Sequence, residues 1–202
     1  MVRERGPSAK DPALRMAPSH RARIGAMTLN EDGLFPLLAC AVVLSVGGVT
    51  QAGPVRLSLA TFVENEVAVE IVLVQDEPGR GRLVGTFTPL DPGLHLYSKD
   101  LPTHGIRGLG RPTRLQVVSS RSIKAAGALA ASRPTLDLFI RPLGMKLPVY
   151  PEGPVTLSLP VSVRTDASTA AQLSVTYMAC SDRICHPPVI DKRIAVTIPP
   201  RP

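Results

Sequence analysis

The 202-residue chain has no Trp, and its aromatic residues amount to only 3%. A surface that stacks nucleobases needs several aromatic faces, so this kind of nucleic-acid surface is poorly supplied. Long helices are also poorly supplied. The 21 Pro are spread through apolar sequence, and each Pro inside a helix removes a hydrogen bond and clashes with the preceding turn. These Pro and the 16 Gly follow no three-residue period, which excludes collagen. Charged residues are only 19% and hydrophobic residues 44%, too apolar a balance for a disordered chain. The length suits one ordinary domain plus an extra segment. Cysteine is scarce as well, and its count of three is odd, which has to be explained before a redox compartment is read.

The N-terminal region accounts for the odd cysteine. Residues 34–49 form the only long uncharged apolar run, and Thr50-Gln51-Ala52-Gly53 follow it. Upstream lie Arg3, Arg5, Lys10, Arg15, Arg21 and Arg23. A basic stretch, a short apolar stretch and then small residues is the layout of a secretory signal. Residues 1–52 are therefore expected to be a signal region, with cleavage after Ala52. Met16 and Met27 are alternative starts, and Glu31 and Asp32 directly before the run are unusual for a signal. The run is shorter than the ~20 residues of a spanning helix, so an uncleaved anchor is the weaker reading, and membrane contact is expected only through this segment. Leu37-Leu38-Ala39-Cys40 resembles a lipoprotein box, but most of the apolar run follows Cys40, where a lipid site would have to end it.

Residues 53–202 form the expected mature domain, with two cysteines, Cys180 and Cys185, and 17 Lys and Arg against 12 Asp and Glu. No basic run longer than the pair Lys192-Arg193 occurs there, so a scattered solvated surface is expected and no nucleic-acid partner. Strand signals recur throughout. Val55–Leu59, Val67–Val74, Leu83–Thr88, Leu94–Tyr97, Thr113–Val118, Leu136–Ile140, Val155–Val163, Leu173–Met178 and Arg193–Ile198 are short, β-branched and largely period-two. Glu77-Pro78-Gly79, Asp91-Pro92-Gly93, Pro151–Pro154 and Thr165–Ser168 supply turns. The expectation is an all-β antiparallel sandwich of roughly seven to nine strands. Ile123–Ala131 reads as a short helix or an irregular strand. Lys99–Pro112 is rich in Gly and Pro and reads as a loop, and long loops in compact domains are often functional.

The chemistry concentrates in Val175–Pro188. A strand runs into Cys180, four residues intervene, and Cys185 begins the return. Residues facing each other across a ladder sit roughly 4.5–5.5 Å apart, inside the usual disulfide range of about 4.4–6.8 Å. An exported pair is expected to oxidise. Its short loop contributes little chain-entropy stabilisation, so a redox switch and a purely structural disulfide both remain open. Arg183 and His186 are placed to favour a thiolate, the attacking species. A zinc or copper site built from Cys180, Cys185 and His186 with His95 or His104 lacks a second cysteine pair. Met145 and Met178 with the histidines make a weaker metal-handling reading. A haem site is disfavoured by the four-residue spacing. No metal and no cofactor are expected.

The segment Tyr177-Met178-Ala179-Cys180-Ser181-Asp182-Arg183-Ile184-Cys185-His186-Pro187-Pro188 resembles the active-site stretch of the N-terminal periplasmic domain of the DsbD family of thiol:disulfide interchange proteins. Tyr177, Cys180, Asp182, Cys185, Pro187 and Pro188 stand at matching positions. A second block, Pro92–Tyr97 with Gly110-Arg111-Pro112-Thr113 after a loop, resembles another segment of that family, and Val149–Gly153 falls in order between the two. The spacing of four residues between the cysteines is one shorter than in the enterobacterial form, and Leu94 replaces a common aromatic.

This resemblance implies an immunoglobulin-like sandwich and a dithiol that exchanges with thioredoxin-fold periplasmic proteins and a membrane-embedded electron relay. It implies a thiol:disulfide oxidoreductase in which Cys185 attacks and Cys180 resolves. Tyr97 and the loop after it would shield the pair, and Asp182 and His186 are candidates for tuning it. The chain carries neither a multi-helix membrane portion nor a thioredoxin-like domain before it stops at Pro202, so separate partner proteins are expected. The competing expectation is a non-catalytic periplasmic binding or scaffold module with a structural disulfide.

Overall fold

A computed structural model describes residues 53–141, 144–164 and 166–200. The expected signal region, its cleavage point, Cys40 and Thr165 lie outside the described residues. Thirteen strands follow in chain order: β1 Val55–Glu64, β2 Val67–Glu77, β3 Arg80–Pro89, β4 His95–Leu96, β5 Arg114–Ser120, β6 Ile123–Ala125, β7 Ala130–Ala131, β8 Leu136–Ile140, β9 Met145–Val149, β10 Val155–Val163, β11 Thr169–Tyr177, β12 Ala179–Cys180 and β13 Val189–Ile198. The expected all-β antiparallel sandwich is the observed fold. One sheet runs β1-β2-β3-β10-β6, with β7 also on β10; the second runs β13-β11-β5.

The period-two pattern explains the sandwich. In β10, Val155, Leu157, Leu159, Val161 and Val163 are buried while the residues between them are less so. Opposite them, the second sheet turns Leu115, Leu173, Val175, Tyr177 and Val196 into the same core. Each such Leu, Val or Tyr contributes on the order of 1.5–3 kcal/mol by leaving water. β2 sits between β1 and β3, and Val72 and Val74 on its other face are buried too, which is why its sequence VAVEIVLV departs from strict alternation.

The β1–β2 hairpin closes through Asn65 and Glu66, both in the left-handed region (φ 50° and 59°). This is the backbone that a two-residue hairpin turn demands.

Residues 123–131 are an irregular strand, not a helix, and Pro160 gives the reason. Pro160 has no N–H to donate, and the neighbouring edge breaks opposite it into β6 and β7. Ala126 still donates its N–H to the Pro160 carbonyl (2.8 Å). Gly127 lies against the Pro160 ring, where a Cβ would come within 3.1 Å.

Two small ladders sit beside the sandwich: β12 pairs with β4, and β8 pairs with β9. The chain reaches β12 through a bulge in the β11–β13 ladder between Val175 and Tyr177. There Asp191 adopts a positive φ of 49° and donates its N–H to Thr176 Oγ1 (3.0 Å). A bulge bends a strand and re-aims the residues beyond it. Here it re-aims the segment that carries the cysteine pair.

Candidate functional site

Cys180 and Cys185 are joined by a disulfide, with Cα atoms 4.1 Å apart. They form an isolated antiparallel bridge around the loop Ser181–Ile184. Ser181 shapes that loop. Its N–H donates to the Ile184 carbonyl (2.8 Å), and its hydroxyl oxygen accepts the N–H groups of Arg183 and Ile184 (both 3.2 Å). The His186 N–H donates to the Ala179 carbonyl (2.9 Å) and closes the turn below the bond. Cys185 is not yet part of a strand; Pro187 and Pro188 intervene before β13 begins at Val189.

The two sulfur-bearing residues have opposite surroundings. Cys180 is 1% exposed, and Cys185 is exposed. Cys180 belongs to a small apolar cluster of its own with Tyr97, Leu101, Leu147 and Val149, against which Ile106, Leu138 and Met178 pack. This cluster is separate from the sandwich core.

Three segments build the cluster. The residue directly after β4 is Tyr97, the loop 99–113 brings Leu101 and Ile106, and the β8–β9 hairpin brings Leu138, Leu147 and Val149. The loop expected over Lys99–Pro112 is present and tightly held. Thr113 donates both its N–H (3.3 Å) and its hydroxyl (2.7 Å) to the Tyr97 carbonyl. The Arg111 guanidinium donates to the carbonyls of His104, Gly108 and Gly110. Arg114 donates to the Leu101 carbonyl and to Thr103 Oγ1.

His95 faces Cys180 in the β12–β4 register. Directly opposed residues on an antiparallel pair project to the same face. The imidazole also meets the edge of Tyr97, with ring centroids 5.6 Å apart and planes at 76°. His95 is 8% exposed, and its Nε2 has no hydrogen-bond partner. Burial pulls this imidazole below its ordinary pKa, against the opposing pull of the Asp182 and Glu152 carboxylates. Burial pushes the Tyr97 hydroxyl up. A groove of about 660 Å³ opens beside the disulfide, and its walls include His95, Leu138, Val149, Glu152, Asp182 and Arg183.

Of the residues singled out from sequence, Tyr97 is buried within the Cys180 cluster, and Asp182 is exposed on the groove wall. His186 follows Cys185 directly, and its backbone takes part in the turn. Tyr177 belongs to the main core: its ring packs edge-on to Phe87 (5.6 Å), and its hydroxyl donates to the Glu64 carbonyl (3.1 Å). Asn65 Nδ2 donates to the Pro187 carbonyl (2.8 Å), so the β1–β2 hairpin tip holds the segment that leaves the disulfide. Sequence reasoning named Val149–Gly153 as a block but gave Glu152 no place at the site, and it read no strand over β9. Among the described residues, no three His, Cys, Asp or Glu side chains converge as a metal-ligand set.

The fold and the site define an antiparallel β-sandwich that carries a disulfide in a short loop at its margin. No protein-family model matches this chain, and no curated protein matches it in sequence. Among solved structures, it is similar to the Neisseria meningitidis DsbD N-terminal domain in its reduced form, at 15% identity, covering 71% of this chain and 90% of that one, with a TM-score of 0.38. It is also similar to the GAE domain of GGA2p from Saccharomyces cerevisiae, at 12% identity, covering 72% and 98%, with a TM-score of 0.35. Neither likeness assigns a role to a residue of this chain.

Proposed function

We propose that residues 1–52 direct export and that residues 53–202 act in the periplasm as a thiol–disulfide exchange protein. In this reading the Cys180/Cys185 pair passes reducing equivalents to or from thioredoxin-fold partners, and a membrane-embedded relay keeps it supplied. The disulfide agrees with an oxidising compartment. Among the described residues, no helix is long and apolar enough to cross a membrane.

One observation carries the reading: the exposure of Cys185 beside the burial of Cys180. Thiol–disulfide exchange needs one sulfur that an incoming thiolate can reach and one that leaves and later returns. Cys185 is the reachable sulfur and the attacking thiol of the reduced form. Cys180 is the resolving thiol, and Tyr97 with the loop 99–113 shields it. Asp182 places a carboxylate beside the exchange groove, and His186 adjoins the attacking sulfur. No cofactor takes part.

The test is mixed-disulfide trapping with a thioredoxin-fold protein. Cys180→Ser is expected to trap the partner through Cys185, and Cys185→Ser to trap far less. A disulfide that resists reduction, with no adduct from either variant, would overturn the exchange reading in favour of a scaffold module. Equal trapping by both variants would overturn the assignment of Cys185 as attacker.

A further inference from the structure

Among the described residues, Nε2 of His95 is a buried side-chain nitrogen with no hydrogen-bond partner, and such an atom carries a full desolvation penalty. Two features of its position indicate what would satisfy it. His95 is the register partner of Cys180, so the two side chains share one face of the β12–β4 ladder. In the disulfide, Cys180 has no proton to give; in the dithiol, it gains an S–H donor.

We infer that His95 is a redox-linked proton acceptor, whose Nε2 takes a hydrogen bond from the Cys180 thiol in the reduced protein and has no such partner in the oxidised one.

This deepens the exchange reading and rests on it. An incoming partner thiolate attacks Cys185 Sγ and forms a new S–S bond there. The Cys180–Cys185 bond breaks, and its electron pair remains on Cys180 Sγ. That thiolate takes up a proton from solvent, and the resulting S–H points at His95 Nε2. In the reverse direction the Cys180 thiol gives its proton back to solvent, the Cys180 thiolate attacks Cys185 Sγ of the mixed disulfide, and the partner leaves as a thiolate. A contact made only in the reduced state favours that state, so His95 makes the disulfide more oxidising.

The surroundings suit an acceptor. Burial holds the imidazole in its neutral form. The charged and titratable groups around it are Asp182 and Arg183 from the disulfide loop, Tyr150 and Glu152 from the segment after β9, and Tyr97 on its own segment. The carboxylates keep its basicity from falling further.

The experiment is a glutathione redox titration of the protein and of His95→Leu and His95→Gln between pH 5 and 8, with melting curves for each. His95→Leu is expected to shift the exchange constant toward the disulfide about fivefold at pH 7.5, or ~20 mV in potential at 29.6 mV per tenfold. The shift should shrink only once pH falls below the lowered pKa of the imidazole, since a protonated ring cannot accept. His95→Gln, whose amide oxygen can accept but not titrate, should keep part of the effect without that pH dependence, and it keeps the test valid if the Leu variant does not fold. Equal exchange constants in all three proteins at pH 7.5 would overturn the role of His95 while leaving exchange intact. A pair that never equilibrates with glutathione would overturn exchange itself and the role of His95 with it.

Discussion

Gly110 lies directly on the ring of Tyr97: a Cβ at this position would come within 2.9 Å of Tyr97 Cδ1 and Cε1 and of Leu101 Cδ2. Its φ of +73° is also one that L side chains rarely adopt. The loop therefore closes over Tyr97 only because residue 110 has no side chain. Gly110→Ala is expected to cost about 1–3 kcal/mol through strain and collision, lowering Tm by roughly 2–4 °C per kcal/mol for a domain of this size. Thermal unfolding checks the stability, and hydrogen exchange should show the loss of protection centred on residues 99–113.

The Tyr177 hydroxyl ties the end of β11 to the β1–β2 hairpin through the Glu64 carbonyl. Tyr177→Phe keeps the ring packing on Phe87 and removes this one bond, so a loss of about 1 kcal/mol is expected by denaturant titration. Asn65→Asp removes the exposed donor to Pro187, tolerates the same left-handed backbone, and should cost less. A larger loss from Asn65→Asp would contradict this ordering.

Ile106 is the loop side chain that packs against the Cys180 cluster. In the reduced protein, Cys185 should alkylate much faster than Cys180, because only Cys185 is exposed. Ile106→Ala should raise the Cys180 rate about fivefold, the factor that ~1 kcal/mol of lost closure allows, and leave the Cys185 rate unchanged. Peptide-resolved mass spectrometry after timed alkylation reads both rates.

The lowered pKa of His95 has a signed consequence for stability. The folded state resists protonating this imidazole, so the unfolded state binds the proton first as pH falls. The contribution is complete above the ordinary value of 6.5 and is lost as pH falls from there through the lowered folded value. Melting curves from pH 8 to pH 5 should show a drop in Tm that is smaller in His95→Gln. An identical drop in both proteins would contradict this assignment.

The alternating segments carried the sandwich in their own pattern. Val155–Val163 and Leu136–Ile140 were legible to the residue, the first because its alternation between core and solvent is written directly into side-chain type. β9 was not legible: Met145-Lys146-Leu147-Pro148-Val149 places a Pro in the run, which reads against a strand. That Pro is tolerated because the side of β9 away from β8 makes just an isolated bridge, Tyr97 with Val149, where the Pro148 carbonyl accepts the Ser98 N–H (2.9 Å). Ile123–Ala131 was ambiguous because Ala-rich sequence suits a helix, and the partner that breaks it, Pro160, lies far along the chain.

The disulfide loop belongs to the first kind of information. Two cysteines with four residues between them, after a strand and with Ser181 next to the first, fix a local turn whatever surrounds it. The difference between the two sulfurs belongs to the second. Nothing in the local sequence states that Cys180 is covered and Cys185 exposed. This difference arises from a bulge at Val175–Tyr177, a loop closed over Tyr97 by Gly110, and a hairpin supplying Leu147 and Val149. The same holds for His95, which lies 85 residues before Cys180 in the chain and beside it across a two-residue ladder. Local turns are set by short-range sterics and hydrogen bonding, whereas burial is a property of what distant segments bring to the same place.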